Sequence, residues 1–473
     1  PYAPLATILV AQYMRENGHD VDLFDTNFVN DPAEIKPKID RFKPDLLVVY
    51  DDNFNFLTKM CLTNMRDAGL WMTDYAHKKG IDVIVSGSDP TDHSELYLKA
   101  GAKAVILGEG EETLLEFVQG KKVEEINGLS YLVDGKISKT LRRSAKKDLD
   151  YLPLPAWDLV DFASYKKAWS IHGYFSINLA TTRGCPFLCN WCAKPIYGNK
   201  YNSRSPQNVV NEIKLIQGLV SFDHIWFCDD IFGLKPNWVQ EFSKILEREN
   251  IQISYKIQSR ADLLLKEDTI DALAKSGCDE VWIGAESGSQ KVLDAMDKGT
   301  TVEQIYQASK LMQSKGVKPC FFLQLGYLGE TWEDLKLTEK NKTDLVELLK
   351  DLKAQGKRVV VIGGGAGGAT AARYLAKDSK GGLNVTLIEP TRTYYTCFFS
   401  NLYLGGFQEM DDLGHSYGGL AAAGVNVVHD WATGVDRDKK MVTTAGGASL
   451  AYDRLIIAPG IDFVDDSVPG WDV

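Results

Sequence analysis

The chain has 473 residues, which suggests about three domains, and 44% of them are hydrophobic, enough to fill complete cores. The formal net charge is −11, and basic clusters such as Arg142-Arg143 and Lys146-Lys147 are short, which predicts solvated linker rather than a nucleic-acid surface. No apolar run reaches membrane-spanning length, and the eight cysteines do not suggest a disulfide framework. We therefore expect a cytoplasmic protein that binds neither nucleic acid nor membrane.

The first 125 residues alternate between helical and strand patterns. Residues 5–16 predict a helix that stops near Gly18, and residues 21–24 predict a strand. Three further apolar runs are typical of buried parallel strands: residues 45–50, 83–86 and 104–107. The alternation predicts a doubly wound α/β domain whose first strand would precede Pro1.

Glycines and polar residues follow two of these predicted strands, in Val85-Ser-Gly-Ser-Asp-Pro-Thr-Asp-His93 and Leu107-Gly-Glu-Gly-Glu-Glu-Thr-Leu114. Both stretches resemble the cobalamin-binding domain that precedes many radical S-adenosylmethionine (SAM) cores. The Asp-x-His-x-x-Gly motif that gives cobalt a histidine in that family is absent. The resemblance thus implies cobalamin without axial histidine ligation, and His93 is more simply a surface residue. An α/β domain with no corrin is the alternative.

Residues 126–172 form a predicted connector. Its segment Tyr151-Leu-Pro-Leu-Pro-Ala-Trp-Asp158 has the proline pattern of an ordered extended link. It resembles the bridge in cobalamin-type radical SAM proteins.

Three clustered cysteines stand in Cys185-Pro-Phe-Leu-Cys189-Asn-Trp-Cys192, directly after an apolar strand-like run. A cubane iron–sulfur cluster has four irons, so three thiolates leave one iron open for chemistry. The alternative is a structural zinc site, but no histidine follows within twenty residues to serve as fourth ligand. The spacing resembles the radical SAM superfamily, which implies a [4Fe–4S] cluster whose open iron binds SAM.

Residues 173–338 predict a partial α/β barrel. With the strand before the cysteines, five strands are expected, and the other four are residues 224–228, 254–258, 280–284 and 319–325. A six-stranded family barrel would need one more. The remaining cysteines of this region, Cys228, Cys278 and Cys320, lie in apolar runs and are expected in the core.

Polar residues at the carboxyl ends of these strands are the candidates for SAM contacts. The resemblance implies that Asp229 or Asp230 binds the SAM amino group, that Arg260 pairs with its carboxylate, and that Glu286 and Ser287 contact ribose and carboxylate. Helix capping and a surface arginine are the structural alternatives. Gln324 and Tyr327, after the fifth strand, are expected near adenine or substrate.

The same resemblance implies the reaction. The reduced cluster gives an electron to SAM, the S–C5′ bond breaks, and a 5′-deoxyadenosyl radical abstracts hydrogen from a small-molecule substrate. An external electron donor is required, and methylcobalamin would allow methyl transfer. The substrate is not identified by any residue.

Residues 339–356 predict a helical linker, and residues 357–473 begin a different pattern. A strand, a Gly363-x-Gly365-x-x-Gly368 turn and an Ala-rich helix are followed by a second strand that ends in Glu389. Glycines at such a turn admit a pyrophosphate, and the acid binds ribose hydroxyls. The arrangement predicts a dinucleotide site.

Two stretches favour FAD by resemblance. Tyr452-Asp-Arg-Leu-Ile-Ile-Ala-Pro-Gly460 resembles the later strand and turn of two-dinucleotide-binding flavoproteins, and the second stretch is Tyr394-Tyr-Thr-Cys397-Phe-Phe-Ser-Asn401. The second resembles the flavoprotein subunit of flavocytochrome c sulfide dehydrogenase. That resemblance implies FAD joined covalently to Cys397 and a cytochrome c partner. The family is periplasmic, and its redox cysteine pair is not found here.

Three hypotheses remain. The chain is a radical SAM enzyme, a fragment of a flavin-dependent sulfide oxidoreductase, or a non-catalytic fusion of two truncated proteins. The cysteine motif and the barrel-end residues favour the first. The missing redox cysteines disfavour the second, and the missing first and sixth strands favour the third.

Overall fold

A computed structural model of the chain describes residues 1–51, 62–192, 196–340, 358–379, 382–395 and 414–458. The chain divides into an N-terminal unit, Pro1–Leu337, and a C-terminal unit, Thr338–Val473. No helix within the described ranges is long and apolar enough to cross a bilayer.

The N-terminal unit begins with a five-stranded sheet. Its strands lie in the order β1 (Leu46–Tyr50), β2 (Asp82–Ser86), β3 (Ala104–Ile106), β4 (Leu129–Val133) and β5 (Lys136–Lys139). The first three are parallel and the last two are antiparallel additions. The three predicted strands are confirmed. The β-branched side chains of β2 and β3 are fully buried, as expected for inner parallel strands, whereas those of β1 are only partly buried. The hairpin of β4 and β5 extends the sheet past residue 125.

Among the described residues of this region, six α-helices accompany the sheet: α1 (Leu5–Glu16), α2 (Lys36–Phe42), α3 (Leu62–Lys78), α4 (Ser88–Asp92), α5 (Ser94–Lys99) and α6 (Glu111–Val118). Helix α1 has the predicted bounds. The strand predicted at residues 21–24 is wrong. Val21 and Leu23 pack against the cores without strand pairing, and Asp22 instead forms ion pairs with Lys38 and Arg41.

The connector is bound to both neighbours. Trp157 is 1% exposed and its Nε1 donates to Glu212 in the barrel, at 2.8 Å. The solvated linker predicted at residues 142–147 is wrong for two side chains. Arg143 forms ion pairs with Glu112 and Glu116 of α6, and Lys146 pairs with Glu112.

A second, fully parallel sheet follows, in the order β12-β11-β10-β9-β6. The strands of this region are β6 (Ser176–Leu179), β7 (Thr182–Arg183), β8 (Asn202–Ser203), β9 (His224–Phe227), β10 (Tyr255–Ser259), β11 (Cys278–Glu286) and β12 (Lys318–Leu323). The five predicted barrel strands are thereby confirmed. Strands β7 and β8 pair with each other on either side of the cysteine loop, residues 184–192.

The helices of this region are α7 (Phe162–Trp169), α8 (Pro206–Leu219), α9 (Trp238–Arg248), α10 (Ala261–Leu264), α11 (Thr269–Lys275), α12 (Gln290–Ala295), α13 (Val302–Ser314) and α14 (Trp332–Lys340). They cover the sheet with an apolar face, and Leu179, Ile225 and Val281 lie fully buried beneath them. Cys228 and Cys278 are buried as expected, whereas Cys320 is only partly buried.

The C-terminal unit has its own parallel sheet, in the order β17-β14-β13-β21. Its elements are β13 (Arg358–Ile362), α15 (Ala366–Ser379), β14 (Asn384–Ile388), β15 (Thr393–Tyr395), β16 (Gly414–Ser416), α16 (Gly418–Ala422), β17 (Val425–Val428), β18 (Ala432–Asp436), β19 (Met441–Thr444), β20 (Ser449–Ala451) and β21 (Arg454–Ile457). Strand β13 pairs with β14 and β21, so it belongs to this sheet and not to the barrel. The predicted helical linker at residues 339–356 lies mostly outside the described residues.

Candidate cofactor sites

The cysteine loop begins at a glycine that no other residue could replace without strain. Gly184 has φ +78°, and a Cβ there would lie 2.0 Å from the carbonyl oxygen of Lys200. The thiols that follow remain accessible, because Cys185 and Cys189 are partly exposed and Cys192 is exposed. Three thiols on one accessible loop suit three irons of a cubane, since each such iron takes one thiolate.

The loop is fastened through Asn190 to the end of α12, the helix that follows β11. Its backbone N–H donates to Met296 O at 3.1 Å, and its Nδ2 donates to Ala295 O at 2.8 Å. The hydroxyl of Tyr327 donates to Asn190 Oδ1 at 2.7 Å. Tyr327, predicted near adenine or substrate, therefore holds the cysteine loop.

Two aromatic side chains of the loop meet cations. The guanidinium carbon of Arg260 lies 3.6 Å from the centroid of the Phe187 ring, and Lys298 Nζ lies 5.9 Å from that of Trp191. Positive groups over aromatic faces are favourable contacts. They bring the end of β10, through Arg260, and the segment after α12, through Lys298, against the loop that carries the thiols.

Arg260 is 5% exposed, so the surface-arginine alternative is wrong. Its Nη1 donates to Lys298 O at 2.7 Å and its Nε donates to Asp262 at 2.9 Å. The guanidinium is thus held in a fixed orientation at a strand end. Such a planar fork can accept a carboxylate if its remaining N–H groups face the ligand.

Glu286 ends β11 in a left-handed conformation, with φ +60°, and is 4% exposed. Its Oε1 accepts a hydrogen bond from Lys298 Nζ at 2.7 Å, and Lys298 is also buried. A Cβ on Gly284 would collide with both groups. A non-glycine residue in this backbone region is strained, and such strain concentrates at functional sites.

Two neighbouring polar side chains, those of Ser287 and Gln324, differ in their hydrogen bonding. The Oγ of Ser287, a 1% exposed residue, accepts from the Ser289 N–H at 3.1 Å. The Oε1 of Gln324 is buried and has no hydrogen-bond partner among the described residues. An orphaned buried acceptor at a strand end is a place where a ligand donor would be favourable.

Asp229 and Asp230 have opposite environments. Asp229 is 1% exposed and accepts four hydrogen bonds, from the backbone N–H and hydroxyl of Thr181 and of Thr182, at 2.7–2.9 Å. Burial nevertheless raises the pKa of Asp229 to about 6. Asp230 is exposed. The buried carboxylate therefore fixes the chain before the cysteine loop, which leaves Asp230 as the carboxylate open to a ligand.

The strand ends of the first sheet are occupied by contacts within the protein. A Cβ on Gly87 would lie 2.4 Å from that of Asp51, and one on Gly110 would lie 2.6 Å from the Tyr50 hydroxyl. Asp89 is held by Arg66 at 2.5 Å and by the Tyr97 hydroxyl at 3.0 Å. His93 is 46% exposed in its side chain. These contacts neither require a corrin nor supply its cobalt with a histidine.

The glycine turn of the C-terminal unit, residues 363–368, keeps one side open. A Cβ on Gly368 would lie 1.9 Å from Gly363 O, so the turn and α15 need glycine there to pack. A Cβ on Gly365 would meet nothing within 4 Å. That open position fits the glycine at which a pyrophosphate approaches the backbone.

Glu389 lies beside this turn. Its Oε2 accepts from Gly364 N at 2.6 Å and its Oε1 accepts from Thr391, while the Tyr417 hydroxyl donates to Gly364 O. Glu389, the residue predicted to bind the ribose, therefore lies at the turn and accepts a hydrogen bond from its backbone. Cys397 lies outside the described residues.

Within the described ranges, no three His, Cys, Asp or Glu side chains are close enough to share a single metal ion. The sequence does not predict the roles of Asn190, Lys298 and the Thr181–Thr182 pair at this site. The hydrogen-bond partner of each lies 12 or more positions away along the chain, so no local pattern marks these residues.

Comparisons with protein families define the class of each part. Residues 179–341 match the radical SAM superfamily, residues 1–118 match the B12 binding domain, and residues 357–471 match the pyridine nucleotide-disulphide oxidoreductase family. The chain therefore combines a B12-binding-type domain and a radical SAM domain with an oxidoreductase-like region. The family resemblances predicted from the cysteine motif and the glycine motif are therefore confirmed at the level of these domain families.

Among curated proteins, an uncharacterized methyltransferase of Pyrococcus horikoshii is 28% identical over 71% of this chain and 72% of its own length. The anaerobic magnesium-protoporphyrin IX monomethyl ester cyclase of Rubrivivax gelatinosus is 25% identical over 72% of this chain, which spans 62% of the cyclase.

Two solved structures show the same fold. The cobalamin-dependent SAM radical enzyme OxsB, with aqua-cobalamin and SAM bound, has a TM-score of 0.60 at 21% identity, and covers 72% of this chain and 49% of its own. The radical SAM methyltransferase TsrM from Kitasatospora setae, with cobalamin and a [4Fe–4S] cluster bound, has a TM-score of 0.61 at 17% identity, over 72% of this chain and 67% of its own.

Proposed function

We propose that the N-terminal unit is a radical SAM enzyme of the cobalamin-dependent kind that transfers a methyl group to a small molecule. One observation carries the proposal. The loop with three accessible thiols is fastened by Asn190 to the end of α12, and its Phe187 packs on Arg260. Lys298 links Arg260 to Glu286, and these two residues lie at the carboxyl ends of the parallel strands β10 and β11. This edge is where α/β barrels place their chemistry.

Cys185, Cys189 and Cys192 would hold the [4Fe–4S] cluster. When bound, the cluster supplies one electron at a time to a SAM molecule on its open iron. In this proposal Arg260 would orient the SAM carboxylate, Asp230 its amino group, and Glu286 with Ser287 its ribose and carboxylate. An external reductant, such as a small electron-transfer protein, and a reducing compartment such as the cytoplasm belong to this proposal.

Methyl transfer and cobalamin rest on the comparisons. The B12-binding-domain match covers β1, β2 and β3 of the first sheet, and TsrM and the P. horikoshii protein are described as methyltransferases. The cyclase relative makes ring-forming radical chemistry the second candidate reaction. The substrate class is a small molecule in either case.

The test is anaerobic reconstitution of the full chain with iron, sulfide and hydroxocobalamin. We expect about one [4Fe–4S] cluster per chain, one cobalamin, and 5′-deoxyadenosine or methyl transfer from SAM under reduction. A Cys185/Cys189/Cys192→Ala variant should lose the cluster, whereas the control Cys320→Ala should keep it. Equal iron in the triple variant would refute the assignment, and cluster without SAM turnover would favour the non-catalytic fusion.

We also propose that the C-terminal unit binds FAD. The open side of Gly365, beside Gly368 and Glu389, supports a pyrophosphate at Gly363–Gly368 with ribose near the acid. Covalent attachment at Cys397 and a cytochrome c partner come from the sulfide dehydrogenase resemblance alone. A thioether would survive denaturation, so unfolded chain should remain yellow and Cys397→Ala should release the flavin. Release from the unmodified chain by acid would rule out the covalent link.

A further inference from the structure

A buried ion-pair cluster joins the cysteine loop to the first sheet. Arg183, two residues before Cys185, is 4% exposed, and its Nη2 lies 2.5 Å from Oε1 of Glu111. Its Nη1 lies 3.4 Å from Glu111 Oε2 and 3.3 Å from Glu109 Oε1. Both glutamates come from the turn that follows β3 and begins α6.

The chain on the far side of the cysteines meets the same turn. The ring of Tyr197 lies with its centroid 5.2 Å from the Arg183 guanidinium carbon. Arg142, which follows β5, donates to Ile196 O at 3.1 Å. A Cβ on Gly108 would lie near both Arg142 and Ile196 O. Both flanks of the cysteine loop therefore rest on the Gly108–Glu111 turn.

Stability alone is a weak explanation of this cluster of buried ion pairs around Arg183. A buried ion pair is costly to desolvate, and apolar residues of similar size often stabilise a core as well. The Arg183 guanidinium instead fixes the position of the segment before Cys185 relative to the Gly108–Glu111 turn, because its Nη1 and Nη2 atoms must each meet a carboxylate oxygen. The segment so fixed leads into the first thiol.

We propose that Arg183, with Glu109 and Glu111, is a positioning group for the cluster site, and that the Gly108–Glu111 turn acts as a brace for the cysteine loop. The first domain then contributes to cluster geometry and not to corrin binding alone. The inference rests on the proposed function only for the identity of the cluster.

The first test uses cluster-free protein, so that it does not depend on activity. Glu111→Gln keeps the shape of the side chain but removes its charge. We expect alkylation of Cys185 and Cys189 by iodoacetamide, followed by mass spectrometry, to rise roughly tenfold, because a charge-assisted hydrogen bond is lost. Arg143→Met is the matched control, since it removes an arginine that pairs with Glu112 and Glu116 of the same helix without touching the loop. It should leave both rates unchanged.

The second test uses reconstituted protein. Glu111→Gln should retain iron but change the EPR g-values of the reduced cluster and its response to SAM, whereas Arg143→Met should match the parent. Unchanged labelling and an unchanged EPR spectrum in a folded Glu111→Gln variant would overturn the brace. Failure of the proposed function looks different, because the parent would then bind no cluster while the labelling difference persisted. Arg183→Lys, which keeps charge but loses the fork, should resemble Glu111→Gln.

Discussion

The cysteine loop of the N-terminal unit is held by side-chain contacts that reach 72 positions or more along the chain. The glycine turn of the C-terminal unit is held by its own backbone and by two nearer side chains, Glu389 and Tyr417, which lie 25 and 53 positions from Gly364. Asn190 bonds to a segment 105 positions away, and Arg183 to one 72 positions away. At the glycine turn, Gly368 packs on Gly363 O, five positions away. Thiolates must be placed in space by side chains, whereas a turn that binds phosphate through backbone N–H groups needs mainly the right dihedral angles.

Removing Lys298 should have the largest effect on the N-terminal unit. Lys298→Met leaves Glu286 buried without its partner, which should cost about 3–5 kcal/mol of unfolding free energy. Urea denaturation followed by circular dichroism measures it. Lys291→Met is the control. Lys291 pairs with Asp334, but the Lys291 side chain is 60% exposed, so removing it should lower the unfolding free energy by no more than about 1 kcal/mol. Equal losses would mean that burial of the pair does not matter.

Gly368→Ala should be the corresponding break in the C-terminal unit. The added Cβ would collide with Gly363 O, and we expect a loss of roughly 3 kcal/mol, seen as faster hydrogen exchange in β13 and β14. Gly365→Ala meets no protein atom, so exchange should be unchanged while dinucleotide binding weakens. If both variants exchange alike, the turn is not held by its backbone as described.

The buried Asp229 should make the unfolding free energy of the N-terminal unit depend on pH. Its pKa is raised from 3.8 to about 6, so the folded state favours the protonated form, and this stabilisation is lost as pH rises through about 6. Relative to Asp229→Asn, the parent should lose about 2–3 kcal/mol between pH 4 and pH 7, at about 1.4 kcal/mol per pKa unit. Parallel stability curves for the two proteins would contradict the raised pKa.

Tyr327→Phe should have the smallest effect. It removes one hydroxyl that bonds to Asn190 and Ala295 O, worth about 1 kcal/mol. Alkylation of Cys189 in cluster-free protein should rise about fivefold. Tyr306→Phe, on the exposed face of α13, is the control and should leave the rate unchanged. A similar rise in both would show that the loop is held by something else.

Sequence patterns predicted the parallel sheets well because a run of β-branched apolar residues is typical of a strand that is covered by helices on both faces. The runs at residues 83–86 and 359–362 illustrate this. Residues 21–24 failed because an apolar residue can be buried by side-chain packing alone, without strand pairing. No local pattern separates those two outcomes when the segment is this short.

The candidate site was predicted unevenly for a physical reason. The thiols and the glycines carry their chemistry in local spacing, so their positions could be found. The residues that hold them, such as Asn190 and Lys298, act through partners far along the chain. Asp229 was found at its strand end, but its four hydrogen bonds to Thr181 and Thr182 depend on the register of β6 and β9.

The long reach of the contacts at the cysteine loop bears on when iron can enter. Those contacts span 72 to 137 positions and join the loop to α6, to the segment after α12 and to Tyr327. Closing such distances costs chain entropy until each partner element is in place. The loop should therefore reach its final form late in folding, after synthesis has passed Tyr327. A factor that delivers iron and sulfide would then meet a nearly finished surface, with Cys192 exposed, rather than a nascent chain.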